Sequence, residues 1–136
     1  MNPSGSVPNS RVAGNILVVD DEPIDAKVAA RMLTEAGYTT AEVHNAREAL
    51  ALLGNGERRF DLVVTDVGMP ETDGRTLGRL IEDRHPGLPV IYVSGYASND
   101  MFHRGSPDPK APFLQKPFSS DALISLVREL LQDRAA

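Results

Sequence analysis

Short apolar runs alternate with amphipathic stretches from Asn15 onward. Ile16-Leu17-Val18-Val19 is a continuous apolar run closed by two acids, the pattern of a parallel strand buried on both faces. A helix is predicted from Pro23 to about Ala36, with proline in its first turn and Gly37 at its C-terminal cap. Ile24, Val28 and Met32 recur there on one apolar face. Tyr38 to Val43 predicts a weaker strand. Asn45-Ala46-Arg47-Glu48 has the Asn-x-x-Glu form of a capping arrangement and opens a short helix through Leu53, ended by Gly54-Asn55-Gly56.

Asp61 to Asp66 is a second buried strand that again ends in an acid. A loop with Gly68, Pro70 and Gly74 leads to a helix carrying Leu77, Leu80 and Ile81. Pro89 to Ser94 predicts a strong strand, and Phe113-Leu114-Gln115 a short one closed by Lys116-Pro117. Ser119 or Ser120 caps the last helix, whose Leu123, Leu126, Val127, Leu130 and Leu131 share a face. Between strands four and five, Ala97 to Arg104 suits about two helical turns, after which Gly105, Pro107, Pro109 and Pro112 forbid regular structure. A short or irregular fourth helix is expected there. Met1 to Gly14, rich in Ser, Gly, Pro and Asn, reads as a disordered leader before one domain over 15–134.

Strand–helix alternation with buried-type strands implies a three-layer α/β sandwich around a parallel sheet. Such sheets bind ligands beyond the carboxyl ends of their strands. The polar residues that fall at those ends are Asp20, Asp21, Asp66, Ser94 and Lys116.

Composition narrows the chemistry by exclusion. The 136 residues suffice for one core, and 41% hydrophobic with 24% charged residues is ordinary for a globular chain. A formal net charge of -5 opposes non-specific binding to nucleic acid or anionic membrane. The absence of cysteine removes disulfides, thiolate metal sites and cysteine nucleophiles. No apolar run approaches the roughly 20 residues needed to cross a bilayer, and the N-terminus lacks a signal-peptide pattern. A cytoplasmic protein is expected. His44, His85 and His103 show no metal-ligand spacing.

Three carboxylates in one crevice repel, which raises a pKa or recruits a cation. Magnesium suits a few carboxylates together with waters and a phosphate oxygen. One carboxylate is then free to act as a nucleophile towards phosphorus. A phosphoryl group in flight spreads negative charge over its oxygens and wants a metal, an ammonium and a hydroxyl around it. The five residues supply that set.

Ile16 to Glu22, Asp61 to Pro70 with Asp73-Gly74, Val93-Ser94-Gly95-Tyr96, and Leu114-Gln115-Lys116-Pro117-Phe118 resemble the signature segments of bacterial response-regulator receiver domains. The resemblance spans about Asn15 to Asp133. It implies a flavodoxin-like fold with strand order 2-1-3-4-5. It implies phosphorylation of Asp66 by a sensor histidine kinase or a histidine phosphotransfer protein. Asp20, Asp21, Asp66 and the backbone carbonyl of Gly68 would hold Mg2+, with Mn2+ as a substitute. Lys116 and Ser94 would bind the phosphoryl group, Ser94 and Phe113 would form the switch, and the Lys116-Pro117 bond would be cis. The output would be a contact with a downstream protein, by a monomer or a phosphorylation-dependent dimer. Three departures stand out, one being the proline-rich stretch from Gly105 to Pro112 in place of part of the usual fourth helix. Gly68 presents no side chain beside the phosphoryl group, and Phe113 has no hydroxyl.

Each residue also has a plainer reading. Asp20-Asp21 would suit a helix N-terminus, Ser94 a turn cap, Lys116 a solvated surface, and Phe113 the core. A haloacid-dehalogenase-like phosphatase would need an acid two residues after the nucleophile, where Gly68 stands. A phosphorylation-independent adaptor would not need the complete acid and lysine set. A DNA-binding regulator is disfavoured by the lack of a helix-turn-helix segment or basic stripe.

Overall fold

Five parallel strands form, with the apolar runs that begin at Asn15, Leu62 and Val90 in the middle of the sheet and the more polar, less buried strands that begin at Thr39 and Phe113 at its edges. The computed structural model describes residues 14–56, 58–68, 74–95 and 112–135. In chain order the elements are β1 (Asn15–Val19), α1 (Pro23–Glu35), β2 (Thr39–Val43), α2 (Ala46–Gly54), β3 (Leu62–Asp66), α3 (Gly74–Arg84), β4 (Val90–Ser94), β5 (Phe113–Gln115) and α4 (Ser120–Ala135). The sheet order is β2-β1-β3-β4-β5, the flavodoxin-like order. Of the leader expected over 1–14 only Gly14 is described, and the fourth helix expected over 97–104 lies outside the described residues.

Alternation along each strand divides the core into two layers. Ile16 and Val18 of β1, with Leu62 and Val64 of β3, face α1 and α4. Leu17, Val19 and Val63 face α2 and α3, where Leu77 and Ile81 are fully buried. Burying side chains of that size stabilises by about 1.5–3 kcal/mol each.

Helix ends follow the local chemistry. Gly37 takes φ 105°, and the N–H groups of Gly37 and Tyr38 return to the carbonyls of Thr34 and Leu33, which closes α1. Asn45 caps α2 by accepting from the Glu48 N–H at 2.8 Å. The Glu48 carboxylate reaches back to the His44 N–H, one residue earlier than the usual capping box. Of the two candidate serines, Ser119 caps α4, accepting from the Ala122 N–H at 3.1 Å, and Ser120 is the first residue of the helix.

The apolar face read on α1 is corrected. Its buried residues are Ala26, Ala29, Ala30 and Leu33, while Ile24 is 75% and Val28 47% exposed. A row spaced by four residues drifts about 40° per step around a helix of 3.6 residues per turn. Ile24 therefore starts in solvent, and only Met32, two steps on, packs against the core. Alanines on the inner face let the helix lie close to the sheet.

Candidate functional site

The carboxyl ends of β1, β3, β4 and β5 converge on one crevice. Ladder bonds set its walls: the Asp20 N–H donates to Val43, Val67 to Val93, and Lys116 to the Ser94 carbonyl at 2.7 Å. Besides Thr65, which precedes Asp66, the buried polar residues among those described are Asp20, Asp66 and Ser94. Their backbones are committed to the sheet, so their side chains open at its rim.

Asp20, Asp21 and Asp66 each place a carboxylate oxygen within 4.8 Å of the others. Asp20 Oδ1 accepts from the Glu22 N–H at 2.9 Å, and Asp20 Oδ2 from Lys116 Nζ at 2.9 Å. Asp66 Oδ1 accepts from the Gly68 N–H at 3.2 Å, and Asp66 Oδ2 stands 3.7 Å from Lys116 Nζ. That last pair is an ion pair without a hydrogen bond. Ser94 is fully buried and its hydroxyl donates to the Gly95 carbonyl at 2.9 Å, so binding a ligand requires it to exchange that bond. Phe113 opens β5 in register with Tyr92, half-buried. The Lys116-Pro117 peptide is cis.

Electrostatics follow from burial. Desolvation, with the Asp20 charge next in size and Asp21 adding less, pushes Asp66 up from 3.8 to about 6, against the lowering by Lys116 and the Gly68 N–H. Burial alone would depress Lys116, but hydrogen bonds to Asp25 and Asp20 and the charges of Asp66 and Asp20 outweigh it and raise its pKa. Lys116 stays charged.

Asp25 is absent from the set that the strand ends predict, yet it accepts from Lys116 Nζ at 2.9 Å. Its signal is weak in sequence. An acid in the first turn of a helix that starts just after the crevice lies one turn before Ala29, and both line the crevice wall. Four carboxylates thus face one ammonium. The donor set is all oxygen, incompletely neutralised and open on the Asp21 side, which fits a hard divalent cation such as magnesium or manganese.

Residues 16–128 match the family model described as the response regulator receiver domain. The chain is 41% identical over 121 residues to the sensor kinase CckA of Brucella abortus, covering 88% of this chain and 13% of that protein. It is 33% identical over 118 residues to the DNA-binding transcriptional regulator NtrC of Salmonella typhimurium, covering 87% and 25% respectively. The chain therefore spans a quarter or less of these two curated relatives. A response regulator receiver protein from Sinorhizobium medicae superposes with TM-score 0.77 at 34% identity, over 90% of this chain and 97% of that one. The receiver domain of a histidine kinase from Syntrophus aciditrophicus gives 0.76 at 35%, over 89% and 92%.

Proposed function

This chain belongs to the response regulator receiver domain family, and on that premise we propose that Asp66 accepts a phosphoryl group from a histidine kinase or a histidine phosphotransfer protein. The observation that carries the proposal is the triad of Asp20, Asp21 and Asp66 within 4.8 Å, with Lys116 across from it. Asp20, Asp21, Asp66 and the Gly68 carbonyl would hold magnesium or manganese, which when bound would supply positive charge to neutralise the crevice and the phosphoryl oxygens.

The Gly68 N–H holds Asp66 Oδ1, so Asp66 Oδ2, on the Lys116 side, is the attacking oxygen. A bond forms from that oxygen to phosphorus as the phosphorus–nitrogen bond of the donor's phosphohistidine breaks. The imidazole nitrogen keeps the electron pair. Lys116 and Ser94 take the phosphoryl oxygens, Ser94 by giving up the Gly95 carbonyl. Movement of Ser94, followed by Phe113, biases a two-state equilibrium that a downstream protein reads. Water later returns the phosphoryl group to solution as phosphate. No small-molecule turnover beyond that hydrolysis is expected, and the setting is cytoplasmic.

Intact-mass measurement after incubation with acetyl phosphate, with and without magnesium, tests the proposal. One magnesium-dependent phosphoryl adduct, lost in Asp66→Asn, is expected. An adduct that persists in Asp66→Asn would overturn the assignment of Asp66. No adduct on a folded wild-type chain would favour a phosphorylation-independent adaptor.

A further inference from the structure

Lys116 does not rest on the nucleophile. Its ammonium donates to Asp20 Oδ2 and Asp25 Oδ2, both at 2.9 Å, while Asp66 Oδ2 is 3.7 Å away. Two of its three N–H donors are thus spent on the β1–α1 side of the crevice. The two acceptors differ in what it costs to release them. The Asp20 side chain is 8% exposed and that of Asp25 45%. Freeing Asp20 would strand a buried carboxylate, whereas Asp25 returns to water at little cost.

Resting on the phosphoacceptor reading of Asp66, we propose that Asp25 is a positioning residue that parks Lys116 against α1 and is exchanged for the phosphoryl group when Asp66 is modified. The phosphoryl oxygens carry more charge than one carboxylate and lie on the Asp66 side. Lys116 keeps Asp20, gives up Asp25 and turns its freed donor to phosphorus-bound oxygen. Asp25 is therefore a competitor. It weakens the hold of the crevice on a phosphoryl group by the strength of a half-exposed ion pair, and acts only through Lys116.

Beryllofluoride, which occupies the phosphoryl position on a carboxylate oxygen, is the probe. Its affinity is measured by calorimetry in saturating magnesium for wild type, Asp25→Asn, Asp25→Ala, Asp25→Glu, and the two charge-removing variants combined with Lys116→Ala. Tighter binding by about threefold to fivefold is expected in Asp25→Asn and Asp25→Ala, with Asp25→Glu returning towards wild type and no gain in the Lys116→Ala background. Unchanged affinity in Asp25→Asn, whose near-identical shape preserves the fold, would overturn the proposal. So would an equal gain with Lys116 absent, since Asp25 would then act as a general charge. Failure of wild type to bind beryllofluoride at all would instead remove the phosphoacceptor reading, and this proposal with it.

Discussion

Asp66 carries two demands that conflict. The proposed nucleophile must be ionised to react, yet burial and the Asp20 charge push its pKa up to about 6. A divalent cation resolves the conflict by favouring the ionised form, so proton and metal compete for the same oxygens. Magnesium affinity is expected to be flat above about pH 6 and to fall by up to about tenfold per unit below it. Calorimetric titrations at about pH 8 and about pH 5 would show this. Equal affinities would mean that Asp66 does not ligate the ion. At this scale much was legible, because Asp20, Asp21, Asp66 and Lys116 announce themselves at the ends of apolar runs. Asp25 was not, because its role depends on where a lysine 91 positions away comes to rest.

Packing between elements turns on small residues whose value the pattern of hydrophobic positions does not express. Gly78 of α3 is one. A Cβ there would lie 1.8 Å from Tyr92 Oη and 2.7 Å from Tyr92 Cζ on β4. Alanine gains about 1 kcal/mol of helix propensity over glycine, but the overlap must force Tyr92 or the helix aside, costing about 1–3 kcal/mol. Gly78→Ala is therefore expected to lower the urea midpoint. A raised midpoint would mean that Tyr92 swings away freely. The alanine face of α1 makes the same point, since mean apolarity favours Ile24 and Val28 while the sheet takes Ala26, Ala29 and Ala30. Bulk is what the pattern counts; closeness is what the fold needs.

For the molecule as a whole, the site is a stability cost. The folded-state pKa of Asp66 is raised from 3.8 to about 6. Its contribution to stability is thus fully present below the unfolded value and is lost as pH rises through about 6. In metal-free buffer above that pH, Asp66→Asn is expected to be more stable than wild type by about 1–3 kcal/mol, with the gain vanishing near about pH 4. Urea unfolding of both proteins across pH reads the difference directly, and a variant no more stable than wild type at about pH 8 would contradict it. Saturating magnesium should narrow the gap, because an ion ligated by Asp66 would stabilise the folded wild type and not the variant that lacks this carboxylate.

Local order of residues was enough to determine the strands, most helix boundaries, the α/β class and the strand-end acids and lysine that the structure gathers in one crevice. Those properties depend on near neighbours: apolar runs, caps such as Asn45 and Ser119, and the turn at Gly37. Tertiary structure alone decided which face of α1 is buried, that Gly78 makes room for Tyr92, that the Ser94 hydroxyl rests on Gly95, and that Lys116 leans on Asp25 rather than Asp66. Each is a contact between or beyond elements, set by distances that the backbone fixes only once the sheet has closed its register. An ammonium among four carboxylates goes where geometry offers short bonds at low desolvation cost, and no one-dimensional pattern records that choice.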